Sequence, residues 1–255
     1  MIYLISILII LFLIIPVYIV IPMSFSSASF MEFPPPGYSL KWYEAFFTNS
    51  TWTDGLTNSI IIGVLSTILA LIIGIMAAQG LVKTDLKCKK FLENIYRLPM
   101  VIPAIIIAIA VYRFESQSGI AGTKLGIICA HTLLELPYVI STIMSRLTSI
   151  DSNYENAALN LGASKFQAFL YVIFPMIKPA ILSSAMFAFS ISFDEAVISL
   201  FVAGVRNNTL PRMIYECLKN QFNPSITTIS SIVVVVITII MIVINSKDLF
   251  SKENR

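Results

Sequence analysis

Six apolar runs of about 20 residues each occupy most of this sequence, at about 2–23, 55–79, 95–112, 124–144, 178–202 and 226–245. A helix of about 20 residues crosses the roughly 30 Å hydrocarbon core of a bilayer. Because a backbone in lipid must satisfy its own hydrogen bonds, helices are the form expected for these runs. The sequence therefore predicts an all-α integral membrane protein with six transmembrane helices.

The composition agrees with a membrane protein and argues against other classes. The 255 residues are 57% hydrophobic and only 12% charged, whereas soluble domains carry about 25% charged residues. The net charge of +3 is scattered between loops, so we expect the lipid bilayer and no nucleic acid as a partner. The three cysteines lie far apart in the sequence, so neither a metal site nor a disulfide framework is expected.

The positions of lysine and arginine predict the orientation. Eleven of the 17 lie in the second-to-third connection, the fourth-to-fifth connection and the C-terminal tail, and six lie on the other side. We therefore expect a multi-pass protein of the cell membrane. Since basic residues are enriched in cytoplasmic loops, both of its termini are expected in the cytoplasm. The first run has a second interpretation as a cleaved signal peptide ending near Ser27-Ala28-Ser29, but it lacks a basic start and its apolar core is longer than such peptides have.

The connection at 147–177 is polar and has an internal plan. Ala157 and Ala158 precede a glycine turn at Gly162-Ala163-Ser164, and an amphipathic run then ends at Pro175. A plain link between two helices needs only a few residues. We therefore expect this connection to be gripped by another protein.

The spacing resembles the EAA loop of ABC-type importer permeases, in which E-A-A, three residues, G and nine residues precede I-x-L-P. Ala157 and Ala158 match the two alanines, Gly162 matches the glycine, and Val172-Ile173-Phe174-Pro175 matches the end of the pattern. Asn156 stands where that family usually has glutamate. An acidic contact is therefore either missing or shifted by one residue, to Glu155.

The resemblance implies that this loop forms a short coupling helix, which docks into a cleft on a cytoplasmic ATPase subunit. The expected ATPase-coupling residues are Glu155, Asn156, Ala157, Ala158, Gly162, Ser164 and Pro175.

Further strings are similar to the polyamine-type branch of these permeases, in order along nearly the whole chain, at 21–26, 34–43, 57–59, 98–103, 130–132, 193–195 and 209–211. This similarity implies the type I ABC importer permease fold and a cargo of spermidine, putrescine or another small organic cation. It also implies two ATPase subunits that bind ATP-Mg, a second and related permease subunit, and an extracytoplasmic substrate-binding protein. No cofactor is expected on this chain itself. Phosphonate, iron and opine importers are close in sequence, so the cargo stays open.

The expected organisation has three parts. A first transmembrane helix with an outer interfacial loop occupies 1–54. A five-helix core occupies 55–246 and contains the coupling loop at 147–177, and a cytoplasmic tail occupies 247–255.

Four ionisable residues fall inside the predicted spans, namely His131 and Glu135 in the fourth and Asp194 and Glu195 in the fifth. Inserting an ionised side chain at such a position costs roughly 2.5 to 3.5 kcal/mol on insertion scales, so such a residue usually has a functional or structural role. Helical rise places all four near one level. Three are carboxylic acids, which attract cations strongly in a low-dielectric path. We hypothesise that these residues, with Asn58, line the substrate path and favour a cationic cargo.

Each of these residues also has a structural interpretation. Asp194 and Glu195 could cap a helix or pair with an adjacent helix or a partner subunit. His131 could simply hydrogen-bond a neighbouring carbonyl or Glu135, and Asn58 could bond between helices. In many type I importers the binding protein sets specificity, and the permease only tolerates the cargo.

The sequence argues against two other functions. A membrane-embedded enzyme is disfavoured, because a single histidine excludes H-E-x-x-H chemistry and no G-x-S-x-G elbow occurs. An ATP-independent channel or carrier would not need the long ordered connection at 147–177. The chain has no G-x-x-x-x-G-K-[ST] phosphate loop, so a separate subunit must hydrolyse the ATP.

Overall fold

The computed structural model describes residues 2–84, 87–220, 224–236 and 238. Helices make up nearly all of this part of the chain, and its one extended pairing is an isolated bridge between Ser26 and Tyr38. The helices are α1 (Ile2–Ser24), α2 (Lys41–Thr48), α3 (Ser50–Lys83), α4 (Lys89–Val101), α5 (Ala104–Ser118), α6 (Lys124–Thr148), α7 (Asn153–Asn160), α8 (Lys165–Ala168), α9 (Phe174–Asp194), α10 (Val197–Val202), α11 (Leu210–Asn220) and α12 (Ser225–Val236). The predicted all-α class is confirmed.

Four helical stretches are long and apolar enough to cross a membrane, at Ile5–Ser24, Ser50–Lys83, Lys124–Thr148 and Lys165–Asp194. They correspond to the first, second, fourth and fifth predicted runs. The sixth predicted run, at 226–245, begins within α12, and its remainder lies outside the described residues.

The third run, predicted as one helix at 95–112, is instead two helices bent by 106°. The break falls between α4 and α5, at Ile102 and Pro103. Proline has no N–H to donate, and it disfavours a helical backbone in the residue before it. Ile102 accordingly has an extended backbone, with ψ of 131°. Pro99 lies within α4, so only the second of the two prolines in this run interrupts the helix.

The fifth run, predicted as one helix at 178–202, also differs from the prediction. α9 begins earlier and ends at Asp194, and α10 follows as a separate short helix. Glu195 between them is extended, with ψ of 105°. Its carboxylate Oε1 accepts a hydrogen bond from the Ile198 N–H at 2.8 Å, and this bond satisfies a backbone donor at the start of α10 that has no helical partner.

The chain divides into two compact units, Gly55–Met213 and a smaller one made of Met1–Asp54 with Ile214–Arg255. In the smaller unit, Ser24 connects three helices. Its hydroxyl lies 2.8 Å from the Tyr43 hydroxyl on α2, and its carbonyl accepts a bond from Thr228 on α12 at 3.1 Å. The predicted outer loop therefore contains a helix, α2, and polar side chains fix this helix to its neighbours.

In the larger unit, α6 packs against α9 and is lined by α3. One hydrophobic cluster joins α3, α6 and α9 through Ala70, Val139, Ile143 and Ile177, all fully buried. A second cluster joins α3, α5, α6 and α10. Gly74 lets α3 approach α6 closely, because a Cβ there would lie 2.6 Å from Val139 Cγ1. Small residues at such contacts are typical of membrane helix packing.

Candidate functional site

The predicted glycine turn ends α7 in a Schellman motif. The Gly162 N–H donates to the Leu159 carbonyl at 3.0 Å, and the Ala163 N–H donates to the Ala158 carbonyl at 3.1 Å. This motif requires a left-handed residue, which is usually glycine. Gly162 has φ of 89°, so the structure gives a backbone reason for glycine at this position.

Ser164 begins α8 with a capping box. Its hydroxyl oxygen accepts from the Gln167 N–H at 3.2 Å, and Gln167 Oε1 accepts from the Ser164 N–H at 2.8 Å. Both bonds satisfy donors that the start of a helix leaves open. The turn is thus fixed on both sides, and we refer to 153–168 as the α7–α8 segment.

The α7–α8 segment exposes large apolar side chains. Leu161 is 90% exposed, Phe166 is 69% exposed and Tyr154 is 56% exposed. Exposed apolar groups concentrated in one short segment indicate an interaction surface. The sequence prediction stressed the small residues of the motif and missed these three. Pro175 lies in the first turn of α9, where its missing N–H costs no helical bond.

An ion pair connects the α7–α8 segment to α3. Lys83 Nζ lies 2.6 Å from Glu155 Oε1, and the two side chains are 33% and 20% exposed. The pair borders an open cleft of about 420 Å³, which also takes in Asp151, Asn156 and Lys165. Glu155, expected as an ATPase contact, is therefore bonded within its own chain.

A buried polar network occupies the middle of the larger unit. The Ser66 hydroxyl on α3 donates to Glu135 Oε1 on α6 at 2.6 Å and lies 3.2 Å from the Ser192 hydroxyl on α9. The Ser192 hydroxyl is 2.7 Å from His131 Nδ1, and His131 Nε2 is 3.2 Å from the Ser199 hydroxyl. All five side chains are at most 5% exposed. His131 and Glu135 therefore lie together, as their spacing predicts, within one network that joins α3, α6, α9 and α10.

The donors in this network can be assigned from its geometry. The Ser199 hydroxyl donates to the Glu195 carbonyl at 3.2 Å, so it accepts from His131 Nε2–H. Nδ1 is then the acceptor, and the Ser192 hydroxyl donates to it. The second oxygen of Glu135, Oε2, is buried with no hydrogen-bond partner among the described residues. Among the side-chain polar atoms of this network, it is the one without a partner in the described part of the chain.

Asp194 and Glu195 occupy different positions from His131 and Glu135. Asp194 is exposed and borders an open cleft of about 280 Å³ with Phe187, Ser190 and Ile191. Glu195 lines the same cleft, but its carboxylate caps α10. The structure thus brings the four ionisable residues to two neighbouring places, a buried network and an open cleft.

Asn58 anchors a loop at the other end of α3 from Lys83. Its Nδ2 donates to the carbonyls of Arg206 at 3.4 Å and Asn208 at 3.1 Å. The neighbouring Ser59 hydroxyl accepts from the Leu210 N–H at 2.8 Å. In this structure Asn58 therefore contacts backbone and holds the loop between α10 and α11.

Glu115 is a buried carboxylate that the sequence analysis did not identify. It is 2% exposed, and neither of its carboxylate oxygens has a hydrogen-bond partner among the described residues. A Cβ on Gly126 would lie 2.6 Å from Oε2, so the carboxylate sits against the first turn of α6. The N-terminal end of a helix favours negative charge. The predicted third span ends at 112, so Glu115 falls outside the predicted spans.

Metal binding has no support in the described part of the chain, where no three His, Cys, Asp or Glu side chains form a group that could hold an ion. The polar network contains one histidine and one carboxylate, and hydroxyl groups occupy the remaining positions. Its chemistry suits hydrogen bonding between helices.

Known proteins resemble this chain in sequence over most of its length. The spermidine/putrescine transport system permease protein PotC of Haemophilus influenzae is 31% identical over 224 residues, which cover 88% of this chain and 87% of that protein. The protein of the same name from Escherichia coli K12 is 29% identical over 231 residues, which cover 91% of this chain and 87% of the Escherichia coli protein.

A solved structure shows the same fold. The chain superposes on one from the crystal structure of a bacterial ABC transporter involved in the import of the acidic polysaccharide alginate, with a TM-score of 0.73 and 17% identity over 96% of this chain and 95% of that one. The family model described as "Binding-protein-dependent transport system inner membrane component" matches residues 70–250. This chain therefore belongs to the family of inner membrane components of binding-protein-dependent transport systems, and it has the type I ABC importer permease fold.

Proposed function

We propose that this chain is the permease subunit of an ATP-driven importer for polyamines such as spermidine and putrescine, or for a related small organic cation. The observation that carries the proposal is the similarity to two PotC proteins along about nine-tenths of the chain. The names of both relatives give spermidine and putrescine as the cargo, and both of these molecules are cations.

The charges of the candidate site support a cationic cargo. Asp194 and Glu195 border the open cleft, and no lysine or arginine is among the residues that line it. Glu135 adds a further carboxyl group in the network beside it. A site built for an anion would be expected to present arginine or lysine instead.

The α7–α8 segment supports the proposal that a separate subunit supplies the energy for transport. Its turn is fixed by the Schellman motif and the capping box, and it presents Leu161 and Phe166 to a partner. We propose that the partner is an ATPase subunit, of which two would bind ATP-Mg. We propose that a second, related permease subunit and an extracytoplasmic binding protein complete the assembly. The distribution of the basic residues supports a cytoplasmic position for both termini.

Uptake by intact cells tests the cargo. The chain would be produced with the products of its neighbouring reading frames, and uptake of labelled putrescine would be measured against unlabelled competitors. We expect spermidine to compete, and 2-aminoethylphosphonate, ferric chelates and opines to leave uptake unchanged. Competition by one of these other solutes but not by spermidine would contradict the proposal, and would assign the chain to the corresponding importers.

A further inference from the structure

We infer that the Lys83–Glu155 ion pair is the link through which the α7–α8 segment moves α3, so that Glu155 acts inside this chain and is not a contact to the ATPase. This role presupposes the proposed function, because it names the route by which force from an ATPase would reach the substrate path.

The geometry of the pair supports a link. Lys83 is the last residue of α3, and Glu155 lies in the first turn of α7. The Nζ to Oε1 distance of 2.6 Å is that of a strong charge-assisted hydrogen bond. The basic group stands at a helix C-terminus and the acidic group at a helix N-terminus, so both charges match the dipoles of their own helices.

Helix α3 connects the ion pair to the buried polar network. α3 is one uninterrupted helix from Ser50 to Lys83. Ser66, which donates to Glu135, lies on it about 25 Å from Lys83 at 1.5 Å per residue. Gly74, between them, packs directly on Val139 of α6. A displacement of Glu155 that pulls Lys83 is therefore carried along a rigid element into the polar network.

Stability alone does not explain the pair. Partly exposed ion pairs contribute little to folding, about fivefold in the folding equilibrium at most. Reversing one charge should therefore leave the fold and the assembly intact. If the pair transmits movement, the same change should reduce the cargo moved for each ATP hydrolysed.

Charge reversal in the assembled transporter tests the inference. The variants are Lys83→Glu, Glu155→Lys and the double reversal, with Lys83→Arg as the conservative change. Lys90→Glu is a matched control, because Lys90 is an exposed lysine near the start of α4. Cargo uptake and ATP hydrolysis would be measured together in proteoliposomes, with co-purified ATPase as the measure of assembly.

We expect each single reversal to lower the uptake per ATP by up to about fivefold, which is the largest factor that a partly exposed pair contributes. The double reversal, Lys83→Arg and Lys90→Glu should stay close to wild type, and all variants should retain the ATPase. The inference is overturned if the single reversals couple normally, or if the double reversal is no better than the worse single one. It is also overturned if Glu155→Lys alone releases the ATPase, because Glu155 would then be the contact to that subunit.

The wild-type transporter separates this inference from the proposed function. If wild type hydrolyses ATP without moving cargo, the proposed function fails and the inference fails with it. If wild type is coupled and the reversed variants are coupled equally well, only the inference fails.

Discussion

Gly162 holds the turn between α7 and α8 in a left-handed backbone conformation, with φ of 89°. A Cβ there would meet nothing within 4 Å, so the cost of a side chain is conformational, about 1–2 kcal/mol. We expect Gly162→Ala to weaken the binding of the ATPase subunit by at least about fivefold. Gly162→Asn should bind more tightly than Gly162→Ala, because asparagine tolerates this conformation. Titration of the purified permease with the ATPase measures the effect.

Gly80→Ala is the matched control for this variant. Gly80 is a helical residue of α3 and also has open space around its Cβ position, so alanine there fits the backbone. If Gly162→Ala binds the ATPase as tightly as Gly80→Ala does, the left-handed turn is not needed for docking.

Asp194 and Glu195 are neighbours in sequence but have different surroundings. Asp194 is exposed in the cleft, whereas the carboxylate of Glu195 accepts a backbone bond from Ile198. A charge pair at about 4 Å in water is worth about 1 kcal/mol. We therefore expect Asp194→Asn to raise the KM for putrescine uptake by about fivefold. Glu195→Gln keeps an acceptor oxygen for Ile198 and should change the KM less.

Uptake kinetics in cells that produce equal amounts of each variant measure both KM values. An unchanged KM in both variants would remove these carboxylates from the cargo path. A larger effect of Glu195→Gln than of Asp194→Asn would show that Glu195, and not Asp194, is the main carboxylate that attracts the cargo.

Part of the site could be predicted from single residues. The sequence predicts the glycine turn at Gly162-Ala163-Ser164. The helix end at Gly162 and the helix start at Ser164 fit this turn, because each needs particular residue types at fixed offsets. The role of Asn58 could not be identified, since the carbonyls that it bonds belong to Arg206 and Asn208, far along the chain. Ser66 and Ser192 were missed for a related reason. A serine in an apolar helix becomes informative only when a partner such as Glu135 lies opposite it.

At the scale of helices, the apolar runs predicted the first, second and fourth spans as single helices, but they missed the breaks in the third and the fifth. Hydropathy reports the total length of a run, and the runs at 95–112 and 178–202 are apolar on both sides of their breaks. Pro99 and Pro103 look alike in the sequence, yet only Pro103 starts a new helix. A proline inside a helix removes one backbone bond and either kinks or breaks the helix, and the sequence does not mark which of the two occurs. Here Pro99 stays inside α4, whereas Pro103 directly precedes α5. The second break has no proline and depends on the cap from Glu195.

The close contact between α3 and α6 depends on Gly74. A Cβ at this position would lie 2.6 Å from Cγ1 of Val139, and Val139 is fully buried and stiff because it is β-branched. Overpacking of this kind costs about 1–3 kcal/mol. We expect Gly74→Ala to lower the thermal unfolding midpoint in detergent by several degrees, with Gly80→Ala on the same helix as the control. Equal midpoints for the two variants would show that the two helices can separate without cost.

At the scale of the larger unit, the two ends of α3 have different contacts. Asn58 holds the loop between α10 and α11, and Lys83 holds α7, about 37 Å away along the helix at 1.5 Å per residue. Each end presents one nearly fully exposed apolar side chain, Val205 at 89% and Leu161 at 90%. We expect Leu161 to contact the ATPase, and its end of α3 therefore to lie in the cytoplasm.

Photocrosslinking from these two positions in the assembled transporter tests that assignment most directly. A crosslinking amino acid would replace Leu161 in one variant and Val205 in the other, since the two sites match in exposure and differ in the end of α3 that they flank. We expect the probe at position 161 to crosslink to the ATPase subunit and the probe at position 205 not to do so. Crosslinking of the ATPase from position 205, with none from position 161, would contradict the account.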